Sequence, residues 1–199
     1  MLRPLVLLAI VAAFAAGCGG GDEEASTVTV TTTETVTETV TTGEPAGGGE
    51  CSAAGLSADL PADSALPARV ADMRQEIADA AVECDFDALQ ALALQGETGF
   101  TYSYGGETSA ADFWAGAEER EEDVMRILVE SLRQDGHEYQ GNWVWPTAYT
   151  DSPTDADWEA LEGLYPQDQL DSMRRSGSFL GYRVGITPAG DWIFFVAGD

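Results

Sequence analysis

The chain has 199 residues and a formal net charge of −26, from 35 acidic and 9 basic residues, and all the basic residues are arginine. Such an acidic balance argues against a nucleic-acid partner, whose phosphates need a cationic footprint, and against direct adhesion to anionic headgroups. It suits a solvated acidic surface, a salt-adapted host, divalent cations or cationic partners.

Arg3 precedes an apolar run from Leu5 to Phe14, and small residues follow up to Gly17. This is the pattern of a secretory signal. The run is shorter than the roughly 20 apolar residues a spanning helix needs, so a cleaved signal over 1–17 is expected rather than a transmembrane anchor. Ala15-Ala16-Gly17-Cys18 resembles the lipobox of bacterial lipoproteins, with Ala15 where leucine is commonest. The resemblance implies that Cys18 takes a diacylglyceryl thioether and becomes the mature N-terminus. It also implies an extracytoplasmic protein held at the cell membrane through that lipid; two or more acyl chains give stable anchoring where one does not.

Residues 18–50 read as a lipidated end and a spacer. Every odd position from Thr27 to Thr41 is threonine, and Thr-Glu-Thr-Val occurs at Thr33 and again at Thr37. Alternation is a strand pattern. The even positions, however, hold only Val, Thr and Glu, so there is no large apolar face to offset the ordering entropy. An extended, disordered, threonine-rich stalk is expected, with O-glycosylation as one use of its hydroxyls.

The globular domain is expected over 51–199. With Cys18 assigned to lipid, Cys51 and Cys84 remain as an even pair in an oxidising compartment. A disulfide between them closes a loop of about 34 residues, which the loop-entropy estimate values at roughly 3–4 kcal/mol. Pro67 suits a first helical position, and Val70, Met73, Ile77, Ala81 and Cys84 share one face of a helix over 67–83. Asp85 reads as the cap of a short second helix with Phe86, Leu89 and Leu92 inward.

Phe100 to Tyr104 alternates aromatic and polar residues, which predicts a half-buried strand. Ser109 caps a long helix expected over 110–134, with Gly136 as its stop. A strand over 142–149 carries Trp143 and Trp145 on one face, and Pro146 marks an edge or an end. Ser152-Pro153-Thr154-Asp155 opens another helix with Trp158, Leu161 and Leu164 inward; a short helix follows over 166–173. Strands over 179–187 and 192–197 flank the turn Pro188-Ala189-Gly190.

This order predicts a single α+β domain: about four antiparallel strands ending in a C-terminal hairpin, with helices packed on one face. Helix, Asp85-Phe86-Asp87 and aromatic strand, over 67–105, also resemble the NTF2-like pattern, which implies a cone-shaped barrel with a small-ligand pocket as the alternative. The ending Tyr182-Arg183-Val184-Gly185-Ile186, then Gly190-Asp191-Trp192 and Phe195 to Asp199, with Trp145-Pro146 before it, looks like secreted bacterial proteins of uncharacterised activity. That likeness carries no activity with it.

The chemistry on offer is sparse. The run Glu118-Glu119-Arg120-Glu121-Glu122-Asp123 reads as a solvated face near a positive helix end rather than a shared cation site. Asp151, Asp155, Asp157 and Glu159 do not have calcium-loop spacing and read as helix-cap acids. His137 is the one imidazole and reads as a surface residue, with a general base as the other use. There is no CxxC, no Gly-x-Ser-x-Gly elbow and no glycine-rich phosphate loop, so no metal, cofactor or catalytic residue is expected.

Tyr102, Tyr104, Trp143, Trp145 and Arg183 are the candidate ligand contacts, with core packing as the competing use of the aromatics. The expectation is a non-catalytic binding or interaction domain whose partner is an envelope glycan, a small ligand or another protein. The alternatives are a glycan hydrolase with a carboxylate pair and an NTF2-like binder of a small apolar ligand.

Overall fold

Pro67 sits at the entrance of α1 (Ala68–Val82), and the period of Val70, Met73, Ile77 and Ala81 buries one face of that helix, as the sequence predicts. The computed structural model of the chain describes residues 51–97, 99–103 and 109–198. The signal segment 1–17, the stalk 18–50 with Cys18, and Tyr104 lie outside the described residues.

Cys84 follows α1 with a left-handed backbone and bonds to Cys51 across a Cα–Cα distance of 6.1 Å. The expected disulfide is therefore present, tying the first described residue to the end of α1. Asp85 then caps α2 (Phe86–Ala93) by accepting from the Ala88 N–H at 2.8 Å, and Leu89 and Leu92 face inward.

The long helix expected over 110–134 is two helices. Ser109 caps α3 (Ala110–Glu119), and α4 (Val124–Leu132) follows after a turn in which Glu121 and Asp123 have φ of 60° and 50°. Five acids in six residues repel one another on a continuous helix. The turn separates them, and long-range bonds hold it open. Asp123 does not cap α4 with its side chain. Instead the Glu118 carboxylate accepts from Met125 N–H at 2.7 Å, and Ser52 Oγ accepts from Arg126 N–H at 2.9 Å. Ser52 in turn donates its N–H and its hydroxyl to Glu118 at 2.6 and 2.8 Å.

The far end of α4 is served the same way. Buried Arg74 of α1 donates to the carbonyls of Leu132 and Gln134, so the open carbonyls of a helix end meet a cation. Gly136 is not the helix stop expected of it. A Cβ there would lie 2.6 Å from the Trp145 ring, so the glycine permits close approach of backbone and indole.

The sheet has four strands in the order β1 (His137–Tyr139), β2 (Asn142–Trp145), β3 (Arg183–Ile186) and β4 (Trp192–Val196), all antiparallel. β1 is an addition to the expected elements. It forms because Gln140 and Gly141 both take positive φ, which is the two-residue hairpin turn that matches strand twist. β2 is shorter than expected and ends before Pro146. The segment expected as an aromatic strand contributes a single bridge among the described residues: Thr101 lies along the outer edge of β4, exchanging hydrogen bonds with Ile193 and Phe195. The sheet is thus an open meander with a C-terminal hairpin, an α+β arrangement and not a cone-shaped barrel.

Helices α1 to α4 pack on one sheet face, where Trp143, Trp145, Val184, Ile186, Trp192 and Phe195 join their apolar sides in one core. A second, smaller core gathers around α5 (Asp155–Glu159) and α6 (Gln167–Ser176). Thr154 and Asp157 form a reciprocal capping box at the start of α5. Trp158, Leu161, Leu164, Leu170, Met173 and Phe179 fill this core together with Ile127 from α4. Among the described residues no helix is long and apolar enough to cross a membrane.

Candidate functional site

The residues singled out from the sequence do not converge. Trp143 and Trp145 are interior side chains, 7% and 0% exposed. The Trp145 indole donates to the Gln134 carbonyl at 3.2 Å, with the Arg74 guanidinium 5.9 Å from its ring centroid. Their pairing partners Ile186 and Val184 point into the same core. Arg183, next to Val184 on β3, therefore points to the opposite sheet face. There it is buried, sits 4.9 Å from the Tyr149 ring centroid, and donates to the Gly198 carbonyl. Tyr102 is half-buried against Phe113 at 5.5 Å and borders a small apolar hollow of about 290 Å³ beside Leu94. The five candidates thus supply two core tryptophans, one charge on the other sheet face, one edge tyrosine, and Tyr104, which lies outside the described residues.

A larger cavity lies elsewhere. It is a cleft of about 530 Å³ between the α3–α4 turn, the Gly163–Pro166 segment that leads into α6, and residues 180–182 before β3. This is within the size range of ligand pockets. Its floor carries two phenols. Tyr165 is buried, and its hydroxyl oxygen accepts the Tyr182 N–H at 2.9 Å. Burial pushes its pKa well above the usual tyrosine range, against the opposing effect of that hydrogen bond. Tyr182 is half-buried, with Phe195 at 5.0 Å. Burial first, then the nearby Glu122 charge, pushes its hydroxyl up to about 12. Both phenols are thus neutral donors at physiological pH.

The lip of the cleft is the acidic run. The run is not a face of one continuous helix, as its sequence suggests; it forms the break between two. Arg120 holds Glu122 at 2.7 Å, and Arg126 holds one oxygen of Asp123 through two nitrogens, at 2.9 and 3.2 Å. Arg126 uses its remaining nitrogen on the Gly163 carbonyl at 3.0 Å. This bond links the lip to the opposite wall. The Glu121 carboxylate meets no partner among the described residues, and its left-handed backbone turns it out at the edge.

Two other polar groups are structural. Burial pushes the Asp157 carboxyl up, but bonds from the Thr154 hydroxyl and backbone, then Thr147 and the His137 charge, bring it below the usual carboxylate value. His137 lies on β1, with one ring nitrogen 3.1 Å from the Tyr149 carbonyl. Among the described residues no group of three or more His, Cys, Asp or Glu side chains is placed to hold a metal ion.

Sequence reasoning missed this cleft because its parts are distant in the chain and its shape depends on the helix break. The one local signal was the density of like charges at 118–123, which a continuous helix tolerates poorly. Comparison with protein-family models, with curated proteins and with solved structures found no match.

Proposed function

We propose that the chain is a lipid-anchored lipoprotein on the extracytoplasmic face of a cell membrane, and that its globular domain is a non-catalytic binding module working through the cleft. The observation that carries the anchoring is the pairing of the cysteines. Cys51 bonds to Cys84, which accords with an oxidising compartment and leaves Cys18 as the third cysteine of the sequence, directly behind the apolar run.

Binding rather than catalysis is supported by how the acids are engaged. Glu118 accepts three hydrogen bonds that hold the turn, and Glu122 and Asp123 are each held by an arginine. A glycan hydrolase instead needs one carboxyl kept protonated and a second free to attack or to activate water.

The test is metabolic labelling of the full chain with an alkyne fatty acid, followed by intact mass measurement. The expected result is a labelled chain that begins at Cys18, with all label lost in Cys18→Ala. Label that persists in that variant, or a mature chain whose Cys18 carries no lipid, would remove the reading.

A further inference from the structure

The cleft presents three chemistries, and one kind of ligand answers all of them. At the floor, the Tyr165 hydroxyl accepts one hydrogen bond, yet its own O–H meets no acceptor among the described residues, although the side chain is nine-tenths buried. The Tyr182 hydroxyl likewise makes no hydrogen bond to another described residue. A buried donor without an acceptor is costly, so a ligand that brings an acceptor gains at Tyr165 and finds a second donor in half-buried Tyr182. The wall is apolar, through Leu164 and Leu180; Leu180 is 38% exposed, one of two large hydrophobic side chains that stay exposed among the described residues. At the lip, Arg120 already pairs with Glu122 and Arg126 with Asp123, and Glu121 is the carboxylate left without a partner among the described residues.

An acceptor, an apolar stem and a cationic head are the three parts of a basic residue in a peptide: a main-chain carbonyl, a methylene chain and a guanidinium or ammonium group. Such side chains lay their stems along apolar surface while the charge stays at the rim. We infer that the cleft docks an arginine or lysine residue of an extended basic segment from a partner protein. This rests on reading the domain as a binding module. The excess of 35 acidic over 9 basic residues favours the same partner, since it steers cations toward the molecule and repels anions.

The experiment is calorimetric titration of the full-length chain with a short peptide amide bearing one central arginine between leucines, beside the same peptide with citrulline or glutamate in its place. The arginine peptide is expected to bind, and the citrulline peptide to bind about fivefold more weakly, as an ion pair at a partly exposed lip allows. Binding of the arginine peptide should weaken as salt rises. Glu121→Gln should cost about twofold to threefold and Tyr182→Phe about fivefold in affinity. Each variant's circular dichroism spectrum reports its folding, and Glu121, exposed and unpaired, is the substitution that leaves the fold intact.

Equal binding of arginine and citrulline peptides, or binding that Glu121→Gln and Tyr182→Phe both leave unchanged, would overturn the inference. A neutral saccharide or apolar probe that binds and is lost in Tyr182→Phe would overturn it while keeping the binding module. No binding by any of these probes would remove both, and neither outcome touches the lipid on Cys18.

Discussion

The two cores of this domain are built differently, and the cleft lies where they meet. The larger one joins four helices to a sheet face and buries Trp114, Trp145, Trp192 and Phe195 completely. The smaller one is assembled from two short helices and the loops around them, with aromatic edges such as Tyr165 against Phe179 at 5.9 Å. Tyr182 packs against both. Regular elements bury their backbone polar groups by themselves, and the larger core leaves only the smaller hollow of about 290 Å³ at its edge beside Leu94. Loops and five-residue helices do not tile as well, and the seam keeps about 530 Å³ open. A seam of this kind places polar groups at a concave surface without asking either core to hold them inside.

The largest test of this contrast is truncation at the centre of the larger core. Trp145→Ala should cost about 3–5 kcal/mol and lower the melting temperature of the whole domain, because it leaves a cavity between the sheet and the helices packed on it. Chemical denaturation read by two probes should then show one shifted transition. Replacing both bridge cysteines, Cys51→Ser with Cys84→Ser, should cost about 2–4 kcal/mol by the same measurement, since it frees the unfolded chain.

Trp158→Ala probes the smaller core. The expected loss is about 2–3 kcal/mol, read by hydrogen exchange as fast opening of 155–179 while α1 and α4 stay protected. Uniform loss of protection would mean that the two cores are one cooperative unit. Glu118→Ala removes the acceptor that starts α4, with an expected cost of about 1–3 kcal/mol for the unsatisfied N–H groups of Ser52 and Met125. Calorimetry of the variant beside Glu118→Gln separates lost charge from lost geometry.

The smallest effect is at high pH. Tyr165 and Tyr182 hold their protons more tightly folded than unfolded. Their contribution is complete below the unfolded tyrosine pKa of about 10 and is lost as pH rises through the folded values. Melting temperature should therefore fall above about pH 10, and Tyr165→Phe with Tyr182→Phe should flatten that limb of the profile.

What was legible in the sequence follows from range. Pro67 and the caps Asp85, Ser109 and Thr154 act within three residues of themselves, and the helices they start lie where those residues place them. The hairpin at the C-terminus and the inward tryptophans followed from alternation and burial. The break at 120–123 was hidden because the groups that satisfy it, Ser52 and Glu118, are 66 residues apart. β1 was hidden because His-Glu-Tyr has no apolar alternation. The segment at 100–103 has that alternation, yet it meets β4 at one bridge only, since pairing depends on a neighbour the local pattern does not contain.

The bridge between Cys51 and Cys84 also determines how the domain bears load. A pull on the chain ahead of Cys51 does not pass into residues 52–83, because the sulfur bond carries it straight to the end of α1. Those residues, Arg74 and Ser52 among them, cannot be drawn out as a strand while the bond is intact. A force applied ahead of Cys51 would therefore reach the domain at Cys84 and α2, leaving both supports of α4 unstretched.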